Sequence, residues 1–237
     1  AVWYMCFAAR QLRPIRLKWS CRSLIYSIRN IGYQCTIGMS ALMGECTMAV
    51  LALIGNYVFG AYLGDAGIGA FGIACYYTPF VYMIGNAVAQ SAQPIISYNY
   101  GCGDSCRVRS TLRVALLAAV VCGGSVSTAF VFFPYQLVEL FINTNEAAFP
   151  LAVKGFPLMA TAFVFFIVNL TLIGYYQSVE RVRPAMVFAL LRGIFFLVPC
   201  FLVLPLWFDE TGIWIALGMS EMLTTLCILG YMWHGNR

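Results

Sequence analysis

The sequence predicts an all-α fold: a polytopic transmembrane helix bundle of six helices. Three observations predict it. Of the 237 residues, 62% are hydrophobic and only 10% are charged, against about 45–50% and about 25% in soluble domains. The apolar runs are continuous over the roughly 20 residues a helix needs to cross a bilayer, whereas barrel strands alternate apolar and polar positions. The charges gather in clusters whose sign alternates along the chain, with apolar spans between them. So few charges cannot cover a water-facing surface, which excludes a soluble enzyme, a disordered chain and a collagen.

The elements follow in order. Residues 1–9, AVWYMCFAA, are apolar but too short to span. Positive charges follow them, whereas a signal peptide carries its charges first. With no initiator Met, they read as the end of a truncated preceding transmembrane helix. Residues 10–34 read as a cytoplasmic amphipathic linker. Arg10, Arg13, Arg16, Lys18, Arg22 and Arg29 are interleaved there with Leu12, Ile15, Leu17, Trp19, Leu24 and Ile25. Mixed basic and apolar positions suit a membrane-lipid surface rather than nucleic acid, which is not expected as a partner.

Residues 35–237 carry the six transmembrane helices, at about 38–62, 70–99, 111–133, 152–177, 184–207 and 211–233. After the basic linker comes Asp65. Arg107, Arg109 and Arg113 then outweigh Asp104, Glu139 and Glu146 outweigh Lys154, and Arg181 and Arg183 outweigh Glu180. Asp209 with Glu210 and a closing Arg237 complete the series. Basic loops stay in the cytoplasm, so both ends of this series lie inside. The second span, uncharged over 66–101, is longer than the roughly 30 Å hydrocarbon core. Pro79 and Pro94 are its candidate kinks, and Gly64, Gly67, Gly69 and Gly72 loosen its entry.

Hydrolytic and transfer machinery is missing. Neither Lys18 nor Lys154 ends a Gly-rich phosphate loop. The single histidine, His234, cannot supply a zinc-protease pair. The adjacent acids Asp209 and Glu210 fall in an outer loop. The ten cysteines are scattered, and Cys102 and Cys106, which share a short basic loop, lack further ligands and read as free thiols. No catalytic residue, metal site or cofactor is expected.

Function then rests on polar residues inside the spans, which are costly there and face a bundle interior or a water-filled cavity. Glu45, Ala49, Ala52 and Asn56 share one face of the first span. Glu45 can carry a proton, ligate a sodium ion, or simply bond a neighbouring helix. Asn86, Gln90 and Gln93 form a second one-sided stripe, suited to cations, substrates or interhelical hydrogen bonds. Asn169, Tyr176 and Gln177 share a side of the fourth span. Arg192 either snorkels to the cytoplasm or pairs with an acid on another helix, in both cases as a structural group. Glu221, Thr224 and Thr225 make a polar patch in the last span. An aromatic cluster of Phe71, Tyr76, Tyr77, Phe80 and Tyr82 suits a flat cation or ordinary packing.

The run GNAVAQSAQPIISYNYG, Gly85 to Gly101, resembles a segment of the multidrug and toxic compound extrusion (MATE) transporters, with Gln90, Gln93, Pro94, Tyr98, Asn99 and Gly101 matching. Ile37–Asn56 resembles that family's seventh helix, with a Glu and an Asn eleven apart, and Leu190–Pro205 resembles its eleventh. The resemblance implies the C-terminal lobe of a twelve-helix, two-lobe antiporter in a bacterial plasma (inner) membrane, with an N-terminal six-helix lobe as partner. It implies export of small organic cations or toxic compounds by rocking-lobe alternating access, in exchange for Na+ or H+. Glu45, Asn56 and Asn169 are then the candidate cation-coupling residues. Asn86, Gln90, Gln93, Tyr176, Gln177 and Glu221 are the candidate substrate-cavity residues. The rival readings are a lipid-linked oligosaccharide flippase of the same superfamily, which needs a more cationic cavity, and a non-transporting membrane scaffold or channel.

The charge map makes a direct prediction. In intact cells, a membrane-impermeant maleimide added outside leaves Cys102 and Cys106 unlabelled, and permeabilisation makes both reactive. Labelling from outside would invert the topology.

Overall fold

The structure, a computed structural model, describes residues 21–235. The expected helix remnant at 1–9 and the linker up to residue 20 lie outside the described residues. The chain divides into two compact units, Ala1–Gly38 and Met39–Arg237. The described part of the first is helical. The second carries the bundle.

Among the described residues all regular structure is helical. Helix α1 is Cys21–Gly101, α2 is Ser105–Phe132, the short α3 is Pro134–Glu139, α4 is Ala148–Ser178, α5 is Val182–Leu190 and α6 is Leu197–Gly235. A π-helical turn, Leu191–Phe195, joins α5 to α6. Four continuous stretches are long and apolar enough to cross a membrane: Leu42–Gly101, Ser105–Phe132, Ala148–Ser178 and Val182–His234. Two of them are pairs of helices. Gly64 (φ 62°, ψ −154°) interrupts α1 and Asp209 (φ 47°, ψ −131°) interrupts α6. The chain therefore makes six legs, at 42–63, 65–101, 105–132, 148–178, 182–208 and 210–234, near the expected spans.

Both breaks fall at acidic stations of the charge series. A left-handed backbone at residue 64 costs glycine nothing, whereas a Cβ there is strained. Inside the second leg the prolines leave the helix continuous. Pro79 and Pro94 lie within α1, yet Gly64 is the only residue in that helix with non-helical dihedrals. Both prolines are exposed. A long apolar helix in lipid keeps its remaining backbone bonds, and this outweighs the single bond each proline removes.

Helix α4 organises the bundle, packing on α2, α3, α5 and α6. Its apolar residues run around most of its circumference, as a central helix requires, and Phe156, Phe163, Phe166 and Ile167 are all buried. Aromatic rings knit the legs together. Phe59 stacks on Phe71 with centroids 4.7 Å apart and meets Trp214 edge-on at 4.8 Å. Phe130 meets Phe156 at 5.1 Å and Phe163 at 4.8 Å. Such pairs add about 0.5–1.5 kcal/mol each beyond area burial. The Tyr77 hydroxyl donates to the Leu137 carbonyl at 2.9 Å, which pins α3 against the second leg.

Small residues set the closest approach between helices, where lipid supplies no hydrophobic drive and packing must. A Cβ on Gly123 of α2 would lie 2.8 Å from Val164 Cα and 3.2 Å from the Phe163 carbonyl oxygen of α4. Ser127 strengthens the same seam, its hydroxyl donating to Ala160 O at 2.7 Å. Gly124, the next residue, has nothing within 4 Å of a Cβ. Gly123→Leu is expected to cost about 1–3 kcal/mol through overpacking, while Gly124→Leu is tolerated. The thermal unfolding midpoints of the two full-length variants in detergent measure the difference.

Candidate functional site

Polar side chains within the six legs segregate into two groups, one exposed on the first two legs and one buried around α4. The exposed group contains Glu45 and Asn56 on the first leg, with Ala49 between them. The face read from the sequence is real: Glu45, Ala49 and Asn56 are exposed and Ala52 is half-buried. Glu45 is held from the second leg, where the Tyr82 hydroxyl donates to Glu45 Oε1 at 2.7 Å. Asn86 follows one helical turn after Tyr82 on the same face. Asn56 turns back on its own helix and donates to Ala52 O at 2.8 Å.

Further along the second leg, Gln90 is exposed and Gln93 donates from Nε2 to Gln177 Oε1 on α4 at 3.2 Å. Gly174 permits this approach, packing against Ala89 and Gln93. Four residues on, the Ser97 hydroxyl donates to Ser178 O at 3.2 Å. Two candidates from different spans, Gln93 and Gln177, are thus brought together. Tyr176 points elsewhere, stacking its ring among Phe188 and Tyr231.

The buried group is an ion-pair network. Arg192 Nε donates to Glu221 Oε1 at 2.6 Å, and each residue is only 1% exposed. Asn169, fully buried, donates from Nδ2 to Glu221 Oε2 at 2.7 Å and to the Glu221 carbonyl at 2.9 Å. The Thr225 hydroxyl completes the ring by donating to Asn169 Oδ1 at 2.9 Å. Charge, amide and hydroxyl therefore come from three legs, and both carboxylate oxygens are occupied. The guanidinium face covers the Phe166 ring, 4.0 Å from its centroid. Arg192 Nη1 and Nη2 have no hydrogen-bond partner, so the cation–π contact is their main compensation.

The π-turn makes this geometry possible. Phe196 N–H donates to Leu191 O at 2.9 Å, five residues back. The extra residue rotates Arg192 inward and places Gly193 against Thr47, whose side chain would collide with any Cβ at 193. Such turns recur at functional or specially constrained positions. Phe166 also touches both groups: it meets Tyr82 edge-on at 6.3 Å while carrying Arg192 on its face. Two rings, Tyr82 and Phe166, link the exposed carboxylate Glu45 to the buried Arg192.

The structure does not gather the three candidate coupling residues. Glu45 and Asn56 lie on the exposed face, while Asn169 belongs to the buried network. Glu221, read as a cavity residue, is in the interior and bonded to Arg192. Of the two alternatives for Arg192, snorkelling or pairing, the observed one is pairing. Sequence reasoning missed Tyr82 as the partner of Glu45 and read it only as one of an aromatic cluster. It also left the partner of Arg192 unnamed. The signal was present in the charge pattern, since the middle of the spans holds one base, Arg192, and two acids, Glu45 and Glu221, whereas Arg113 and Lys154 fall within the first three residues of theirs.

The family model described as MatE matches residues 41–202. The chain belongs to the MATE family. It is 28% identical over 159 residues to a probable multidrug resistance protein NorM of Rhizobium meliloti (strain 1021), an alignment covering 64% of this chain and 34% of that protein. A Vibrio cholerae MATE transporter, VcmN, shares its fold at TM-score 0.82 and 14% identity, over 95% of this chain and 50% of that one. The MATE multidrug transporter DinF-BH matches at TM-score 0.74 and 23% identity, over 94% and 49%. This MATE chain therefore spans about half of each solved transporter and a third of the NorM protein. Its six legs reproduce the helical architecture of those structures, and it is a multi-pass membrane protein.

Breaking a buried pair strands a charge, which costs about 3–5 kcal/mol, whereas replacing both partners by apolar groups is often neutral. Arg192→Ala and Glu221→Ala are each expected to lower stability by that amount, and Arg192→Met with Glu221→Leu to recover most of it. A double-mutant cycle on unfolding of the full-length protein in detergent checks both statements.

Proposed function

We propose that this chain acts as one lobe of a secondary active antiporter. It exports cationic drugs or toxic organic compounds in exchange for Na+ or H+, paired with a second six-helix lobe in a bacterial inner membrane. The observation that carries the reading is the division of polar groups. In the network around Arg192 both Glu221 carboxylate oxygens and the Asn169 amide are bonded internally, and the guanidinium face lies on Phe166. Glu45, by contrast, lies on an exposed face with Asn86 and Gln90 on the adjoining leg, and needs a companion surface to enclose it. The matches to transporters of twice this length support such a companion.

In this reading Glu45 is the coupling residue. Its negative charge attracts either a coupling ion or a cationic substrate, and the Tyr82 hydroxyl orients the carboxylate. Binding of the inward-moving cation neutralises Glu45 and weakens the hold on an organic cation, the exchange an antiporter requires. Gln90, Gln93 and Gln177 supply uncharged hydrogen-bonding groups along the same cavity. A flippase for pyrophosphate-linked oligosaccharides needs a free cation in the cavity. Arg192, the base at mid-span, is instead neutralised by Glu221 and buried, which favours the cation exporter.

Ethidium efflux from vesicles containing the full-length protein tests this. With an imposed sodium or proton gradient, Glu45→Gln is expected to lower gradient-driven efflux about tenfold or more, a loss of about 1.4 kcal/mol or more. Tyr82→Phe should produce a smaller loss. Comparing the two gradients identifies the ion, and unchanged efflux in Glu45→Gln removes that residue from coupling.

A further inference from the structure

At the opposite end of the bundle from the Gly64 and Asp209 breaks lies a cavity of about 310 Å³. Two turns and a helix end meet there: the end of α1 with the start of α2, the α4–α5 junction, and the end of α6. Tyr100, Arg109, Tyr175, Tyr176, Arg181 and Tyr231 contribute to its wall. No acidic residue lines it.

The charges in this wall are uncompensated. Among the described residues, neither Arg109 nor Arg181 has an ion-pair partner. Asp104 is the nearest acid to Arg109 in sequence, but it is engaged elsewhere. It caps α2 by accepting from Arg107 N–H at 3.0 Å, and it pairs with Arg107 Nε at 3.5 Å. Glu180 precedes Arg181 but is exposed and does not line the cavity. Tyr176 is only 3% exposed, its ring is fixed by Tyr175, Phe188 and Tyr231, and it reaches the cavity. Among the described residues its hydroxyl has no hydrogen-bond partner. A rigid, nearly buried donor without a partner, in a wall shared with two guanidinium groups, is arranged for an anion.

We propose that this cavity binds a phosphate-bearing anion, held by Arg109 and Arg181 and oriented by the Tyr176 hydroxyl. Guanidinium groups grip phosphate oxygens in pairs. The volume admits a phosphate with a small alcohol attached. The basic loops place the cavity at the cytoplasmic surface, where anionic lipid headgroups and free phosphate are both at hand. Occupancy bridges α2, α4, α5 and α6 at one end and so stabilises the folded bundle by mass action. The proposal does not depend on the transport reading, because none of these residues belongs to the proposed coupling face.

The test is the thermal unfolding midpoint of the full-length protein in a neutral detergent, titrated separately with phosphatidylglycerol, phosphatidylcholine and inorganic phosphate. A saturable rise with phosphatidylglycerol and none with phosphatidylcholine is expected. Arg109→Gln with Arg181→Gln should weaken the apparent affinity about tenfold or more. Tyr176→Phe, which keeps the ring packing, should weaken it less and serves if the double variant fails to fold. Arg107→Gln, which alters an exposed arginine paired elsewhere, should leave the titration unchanged. A rise with inorganic phosphate of equal size, lost in the same variants, supports the proposal with a free anion as the source. No anion-dependent rise, a rise that the double variant and Tyr176→Phe both retain in full, or an equal loss in Arg107→Gln overturns it.

Discussion

A single arginine inside the apolar bundle sets terms that much of the lobe obeys. Arg192 cannot shed its proton, and a charge in hydrocarbon must be paired and bonded or driven out. Glu221 supplies the opposite charge from α6. Asn169 of α4 and Thr225 of α6 absorb the remaining carboxylate and amide valences. The π-turn at Leu191–Phe195 is the backbone's accommodation, since a regular helix would aim the side chain a fraction of a turn away. Gly193 is required because Thr47 occupies the space beside it. The pair thus links three legs, and it specifies how they are rotated about their axes as much as how tightly they pack.

This network is also a partition. By using its own polar groups internally, the lobe leaves Glu45 on an exposed face, bonded to Tyr82 across the first two legs. Phe166 stands between the two groups and touches both. Any change in the angle between the Glu45 face and α4 must move this ring, and with it the surroundings of Arg192. Close-packed interiors transmit such displacements because they have few voids to absorb them. The exposed carboxylate and the buried pair are thus linked through two adjacent rings, Tyr82 and Phe166.

Much of the fold was legible in the sequence, and for identifiable reasons. Arg107, Arg109 and Arg113 against Glu139 and Glu146 gave the alternation, which located all six crossings. The breaks at Gly64 and Asp209 fall at two of its acidic stations. Pro79 and Pro94 lie inside a continuous helix, because each proline removes one hydrogen bond while the rest of the ladder persists. The candidate site was legible only in part. The one-sided stripe at Glu45, Ala49, Ala52 and Asn56 is a property of a single helix and could be counted off. The partners of Glu45 and Arg192 are properties of helix pairs. Tyr82 lies 37 positions from Glu45, and Glu221 lies 29 from Arg192.

The sequence alone determined that this chain is a polytopic bundle of six transmembrane helices, and which residues pay a cost for being in hydrocarbon. These follow from transfer free energies and charge placement, which act residue by residue. The tertiary structure decided which costly residues meet and which are left facing outward. It joined Glu221 to Arg192 rather than leaving both exposed, set Asn169 apart from Glu45, and gathered Arg109, Arg181 and Tyr176 around one cavity. Those outcomes depend on the rotation and register of helices against one another, and they are fixed by small-residue contacts such as Gly123 on Val164 and by a one-residue π-turn. Periodicity within a helix shows which side a residue occupies; packing between helices decides what that side meets.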